Sequence, residues 1–122
     1  METPAEQRTP SSGAGTVHDL TGWDIGAVAA LEWSPWGPRG DARAKVLAKG
    51  DGYHLVLVEA APGYDGDPHE HGAAEMLYVL AGRVRTQGVE MGAGDAYVAS
   101  AGSVHTDFAT DAGATYLLVF KL

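Results

Sequence analysis

Three histidines and a glutamate, His69, His71, His105 and Glu75, are the residues of this sequence whose types and spacing could do chemistry. In an extended strand successive side chains alternate between faces, so His69 and His71 point the same way, about 7 Å apart along the strand. Two imidazoles on one face, with a carboxylate on the next segment, form a good cradle for a divalent cation. Neutral imidazole suits Zn, Fe, Ni or Cu, and carboxylate brings in harder ions such as Mn. The competing explanation is a polar strand edge in which His-x-His arises by chance, and for the pair alone it is the simpler one. Two other chemistries use similar residue types. A Ser-His-Asp arrangement lacks a nucleophile, because the chain has no cysteine and its serines sit in turns without a nucleophile-elbow pattern. A glycosidase pair of Glu70 and Glu75 fails on geometry, since their odd spacing sends them to opposite faces of a regular strand. Metal binding accounts for more of the residues than either rival.

The elements that must position these side chains read as short strands. Ala61 to Pro68 is a loop on its Pro, Gly and Asp content, and Pro68 delivers the chain extended into His69. Glu75 to Ala81 is the clearest strand, with Glu75, Leu77, Val79 and Ala81 on one face and Met76, Tyr78 and Leu80 on the other. If Glu75 faces a metal, Leu77 and Val79 line the same apolar interior. Gly82 permits a turn into Arg83–Thr86, whose arginines point outward. Gly88 to Gly94 reads as a further turn, Asp95 to Ala99 as a strand, and Ser100 to Ser103 as the turn that leads to Val104 and His105. Ala114 to Leu122 is a final apolar strand.

Upstream, Lys45–Ala48 and Tyr53–Ala60 form a hairpin closed by a Gly-rich turn. Both faces of the second strand are largely apolar, which suits a strand buried between layers, with His54 a structural or surface histidine. Trp33, Pro35, Trp36, Gly37 and Pro38 read as a rigid aromatic loop that covers one end of the core, or alternatively stacks on a ligand. Trp23 to Leu31 is compatible with a short helix or a strand. Residues 1–22, rich in Thr, Ser, Pro, Gly and Glu, read as a flexible tail in which His18 is solvated, leaving 23–122 as the folded domain. Short strands at regular spacing with turn residues between them predict an all-β barrel or sandwich.

A length of 122 residues fits one domain. The absence of cysteine excludes disulfides, iron–sulfur clusters and thiolate metal sites. Sixteen acidic residues against eight Lys and Arg give a net charge of −8, which argues against a nucleic-acid partner. No apolar run approaches the roughly 18 residues of a membrane span and no signal-peptide core follows Met1, so neither a membrane nor export is expected. The default is a soluble cytoplasmic protein.

The spacing Gly63, His69, His71, Glu75, Gly82 resembles the first motif of the cupin family at every position. The second cupin motif maps onto Gly94, Ser100, Gly102, His105 and Ala109, with Ser in place of Pro and Ala in place of Asn. The first departure loosens a turn and the second removes a polar group beyond His105; neither removes a proposed ligand. This resemblance implies a small double-stranded β-helix, the jelly-roll barrel, with flanking strands extending it from about Ala44 to the C-terminus. It also implies one divalent metal ion held by His69, His71, Glu75 and His105, with Fe(II) favoured and Zn, Mn, Ni or Co as alternatives. Such a set leaves one or two positions open on the ion, as in a catalytic site, and is close to the two-His-one-carboxylate triad of non-haem iron oxygenases.

Over the run from Trp36 through the first motif the chain is similar to the acetylacetone-cleaving and anti-sigma-factor cupins. A helical sigma-binding domain would need many more residues than the tail offers, so an anti-sigma role is not the expectation. The expectation is a mononuclear non-haem metal dioxygenase acting on an enolisable or phenolic small molecule, with Glu75 as the catalytic base. A redox-neutral cyclase, isomerase or lyase is the alternative enzyme class, and a non-catalytic metal- or small-molecule-binding module the alternative outside enzymes. Cupins commonly pair, so a homodimer is expected, with the Trp33/Trp36 segment covering its surface.

Overall fold

The computed structural model describes residues 17–122. Of the stretch expected to be a tail, 1–16 lies outside the described residues, and 17–22 is exposed throughout. The rest is almost all strand: β1 (Ser34–Trp36), β2 (Ala42–Gly50), β3 (Tyr53–Ala60), β4 (Tyr64–Asp65), β5 (His69–Glu70), β6 (Glu75–Thr86), β7 (Val89–Gly92), β8 (Ala96–Ala99), β9 (Val104–His105), β10 (Phe108–Thr110) and β11 (Ala114–Lys121). A single 3₁₀ turn, Val28–Ala30, is the helical element among the described residues, where the sequence left helix or strand open. Its segment is tied to β2, with Lys45 Nζ donating to the Val28 carbonyl at 3.1 Å and the Lys49 amide to Asp24 Oδ2 at 2.9 Å. No helix among the described residues is long and apolar enough to cross a membrane.

Beside a separate two-stranded sheet of β5 and β9, nine of these strands form the curled sheet of an all-β jelly roll, and β6 organises it. Its first half runs between β11 and β8, while its second half pairs with β7 and β10, and β10 continues to β4. On the other edge of β11 lie β3, β2 and β1 in turn. The strand turns this corner without a break. Thr115 pairs with Ala81 but Tyr116 with Val79, so Leu80 is an extra residue, a β-bulge that bends the strand. The bulge also moves the buried face from Leu77 and Val79 to Val84 and Thr86. The turn expected at Gly82 is therefore a kink inside a continuous strand. Gly82 has φ +77°, and a Cβ there would collide with the Gly113 carbonyl, so only glycine lets β6 and β11 approach at this point.

Two hairpins close on two-residue turns with both residues at positive φ: Asp51 (53°) and Gly52 (82°) between β2 and β3, and Gln87 (52°) and Gly88 (76°) between β6 and β7. That backbone matches the right-handed twist of the flanking strands. The second hairpin corrects the expected Gly88–Gly94 turn: Val89–Gly92 pairs with Arg83–Thr86 and buries Met91. Loops expected at Trp33–Pro38 and Ala61–Pro68 contain β1 and β4. Pro35 is tolerated in β1 because that strand lies at the sheet edge, where a missing amide costs nothing. The short strand β10 lay within a stretch that carried no strand signal.

The core comes from one face of each strand. Val56 and Val58 of β3, Leu77 and Val79 of β6, Val84, and Tyr116 and Leu118 of β11 are buried together. Each buried aliphatic side chain stabilises the fold by about 1.5–3 kcal/mol. The other face of β3, Leu55 and Leu57, is only half-buried, so the strand is not sandwiched between layers as its composition suggests. Arg43 and Lys45 of β2 sit over the Trp33 ring at 4.2 and 4.8 Å.

Candidate metal centre

The ladder between β5 and β9 sets His69 directly opposite His105. Beyond it the two segments stay joined, the His71 amide donating to the Ser103 carbonyl at 2.9 Å and the Gly102 amide to the His71 carbonyl at 2.7 Å. His71 thus projects beside His69, and the start of β6 supplies Glu75. The structure brings all four predicted residues together, their ligating atoms within 4.8 Å of one another. The imidazole centroids form a near-equilateral triangle with sides of 4.8, 5.2 and 5.4 Å. His71 and His105 are buried, while His69 is exposed.

The turn before His105 survives the loss of the motif proline. The Ser103 amide and hydroxyl both donate to the Ser100 carbonyl, at 3.1 and 2.6 Å, and hold it closed. Ala109, at the position of the motif asparagine, is buried between Arg85 and Asp65 in the β10 ladders.

Outer hydrogen bonds decide which nitrogen of each ring faces inward. His69 Nδ1 lies 3.0 Å from the Asp67 carbonyl, which only accepts, so Nδ1 carries the proton and Nε2 the lone pair. His71 Nδ1 lies 3.0 Å from Ser103 Oγ, whose own proton is committed to Ser100, so Nε2 again holds the lone pair. His105 Nε2 is bonded to Thr86 Oγ1 at 2.7 Å, leaving Nδ1 inward. His71 Nε2 and His105 Nδ1 are buried without a hydrogen-bond partner and face Glu75 Oε2 at 3.4 and 3.8 Å. The His71 Nε2 lone pair, turned toward a carboxylate oxygen in a buried site, is repelled by it unless a cation lies between them. The donor set, its tautomers and its orphaned nitrogens therefore fit a divalent metal, with outer partners of the kind that orient metal-bound histidines.

Burial, more than any neighbouring charge, lowers the His105 pKa, which keeps its ring neutral and available as a ligand. Tyr97, on β8, donates its hydroxyl to Glu75 Oε2 at 2.6 Å and fixes that carboxylate from behind. Burial first, and the Glu75 hydrogen bond second, raise the Tyr97 pKa far above its ordinary value, so the phenol keeps its proton. Sequence reasoning missed Tyr97, Ser103 and Thr86. Only the inward phase of Tyr97 in the alternating run Ala96–Ala99 could have marked it.

Beside the four residues opens a cavity of about 540 Å³, lined by aromatic and aliphatic side chains including Trp36, Leu77, Phe108 and Phe120. Leu77 lines it as expected; Val79 does not, being sealed in the core. Trp36 takes part in this wall, whereas Trp33 lies under Arg43 and Lys45. His54 stays out of the site, stacked on Phe120 with centroids 5.4 Å apart.

Residues 23–121 match the model of the ChrR cupin-like domain. The chain belongs to this cupin family. Among solved structures, a chain in the complex of Rhodobacter sphaeroides SigE with the anti-sigma ChrR is similar to this cupin at 25% identity and a TM-score of 0.65, covering 78% of the present chain and 52% of that one. This cupin thus spans about half the length of that chain. A putative acetylacetone dioxygenase from Methylibium petroleiphilum PM1 shares the fold at 14% identity and a TM-score of 0.71, over 87% and 78% of the two chains. The polyketide cyclase RemF from Streptomyces resistomycificus does so at 23% and 0.67, over 76% and 75%. No curated protein sequence matches.

Proposed function

We propose that this cupin is a mononuclear metal-dependent oxygenase acting on an enolisable or phenolic small molecule. His69, His71, Glu75 and His105 would hold one divalent ion, Fe(II) by preference. The observation that carries this reading is the convergence of three imidazole rings, each held by an outer hydrogen bond, with the Glu75 carboxylate. An ion held there supplies Lewis acidity to an enol and its neighbouring carbonyl, and Fe(II) adds one-electron chemistry with O₂. The protein's part is positioning. Asp67, Ser103 and Thr86 hold the rings, and Tyr97 holds Glu75 Oε2, which leaves Oε1 as the oxygen able to take the substrate proton. The apolar cavity walls exclude water from the substrate's reacting carbons.

Support from the putative acetylacetone dioxygenase is support for the fold alone. The decisive test is O₂ uptake by Fe(II)-loaded protein across β-diketones, flavonols and catechols, with Glu75→Gln expected to keep part of its metal and lose turnover. No uptake with any of the three classes would reject the oxygenase. Anaerobic cyclisation or isomerisation by zinc-loaded protein would put a redox-neutral enzyme in its place. The likeness to the anti-sigma ChrR, taken with the four-residue cluster, favours a second reading, a non-catalytic metal-binding module, for which metal binding without any turnover is the signature.

The same reading extends to a homodimer. Met76, Tyr78 and Leu80 of β6 and Val98 of β8 are exposed on one sheet face, at 37, 45, 43 and 67%, and form an apolar patch suited to a second copy. Light scattering at micromolar concentration should give twice the chain mass; a monomer mass removes this claim.

A further inference from the structure

Resting on the metal-centre reading above, we propose that the adjoining cavity takes a flat, uncharged aromatic compound that chelates through an enol and a neighbouring carbonyl, and that it rejects sugar acids of similar size. Phe108 stands edge-on to the ligand His105, with centroids 5.5 Å apart and planes at 81°. It is likewise edge-on to Tyr64 at 6.2 Å and Tyr116 at 5.5 Å. One wall is therefore a continuous chain of rings that starts at the metal centre. Trp36 and Phe120, with centroids 5.8 Å apart, add a second aromatic pair to the lining. Aromatic rings accept another ring at centroid separations of about 4.5–7 Å, stacked or edge-on, which selects flat ligands. A cavity of about 540 Å³ lies in the range that holds ligands with several rings and is far larger than a five-carbon diketone requires.

Charge and polarity select in the same direction. Asp67, Glu70, Glu75 and Lys121 are the charged residues in the lining. Lys121 holds its ammonium 5.2 Å over the Tyr53 ring, which is not part of the cavity, so no side-chain cation is directed at the bound molecule. The enolate formed on chelation is matched by the metal, but a further carboxylate would be buried against aromatic walls without a partner. The Tyr97 phenol is committed to Glu75, and the aromatic walls offer few polar partners, so many hydroxyls of a sugar would go unsatisfied.

The test is isothermal titration calorimetry on full-length, tag-free, zinc-loaded protein, in which O₂ chemistry cannot consume the ligand. Benzoylacetone, acetylacetone and galacturonate are the probes, and zinc content is measured for every variant. Benzoylacetone should bind at least tenfold tighter than acetylacetone, and galacturonate should not saturate. Phe108→Leu and, independently, Trp36→Ala should each cut the aryl preference below threefold while keeping one zinc per chain. Equal binding of the two diketones, or a preference that survives both substitutions, overturns the aromatic assignment and leaves the enolisable-substrate reading standing. Galacturonate binding as tightly as benzoylacetone overturns the charge selection. If neither diketone binds zinc-loaded protein, the aromatic assignment and the proposed function fail together.

Discussion

Removing one oxygen atom, in Tyr97→Phe, should weaken metal binding while leaving the fold intact. The Tyr97 hydroxyl donates to Glu75 Oε2 over 2.6 Å, a short bond to an ionised acceptor. Hydrogen bonds to charged groups contribute about 1.5–3 kcal/mol net. At about 1.4 kcal/mol per tenfold change, that is roughly 10–150-fold in the dissociation constant. It agrees with the roughly 10–100-fold cost of removing groups that orient metal ligands from the outer shell. Phenylalanine keeps the ring, and with it the edge-on contact to His105 at 6.0 Å, so packing changes little. Competition against a chromogenic chelator gives the dissociation constants of wild type and variant, and circular dichroism checks the fold. A variant that holds zinc within twofold of wild type would show that Tyr97 does not orient Glu75, and the reasoning would be refuted.

Further outcomes follow from the same geometry. Gly82→Ala puts a methyl group against the Gly113 carbonyl at positive φ, and should cost at least about 1 kcal/mol of stability, read from urea unfolding. Asp107 has its pKa lowered from 3.8, first by the Arg85 hydrogen bond and then by the Gly88 amide, so its folded value lies below its unfolded one. Its stabilising contribution is therefore complete above pH 3.8 and is lost as pH falls through the lower folded value. Asp107→Asn should destabilise at pH 7 and make little difference in strong acid, as measured by thermal unfolding across pH. Chelation of the metal should lower the melting temperature, since an ion that binds only the folded chain stabilises it by mass action; an unchanged value counts against tight binding.

The proposed ligands were legible because their spacing follows from strand geometry. His69 and His71 share a face at a period of two, and a one-residue slip would have separated them. The second half of β6 was not legible, because the bulge at Leu80 inverts the alternation without leaving a mark in composition. Gly82 then reads as a turn, although its absent side chain serves a close strand approach. Strands β4 and β10 escaped notice because pairs and triplets of residues carry no periodicity; they form because the long β6 and their own pairing support them. Tyr97 pairs across the ladder with Leu77, two residues from Glu75, and reaches the carboxylate diagonally. That contact exists only once β8 and β6 are in register, so no linear spacing announces it. Trp36 lay in a segment whose two readings, core cover and ligand contact, share the same aromatic signal.

Equilibrium dialysis of tag-free protein against Fe(II) under anaerobic conditions, and in parallel against Zn(II), tests the metal centre most directly. Wild-type protein should bind one ion per chain, and His71→Ala and His105→Ala should each lose tight binding of it. Full occupancy in both variants, or no ion held by the wild type, would contradict the assignment of His69, His71, Glu75 and His105 as the metal ligands.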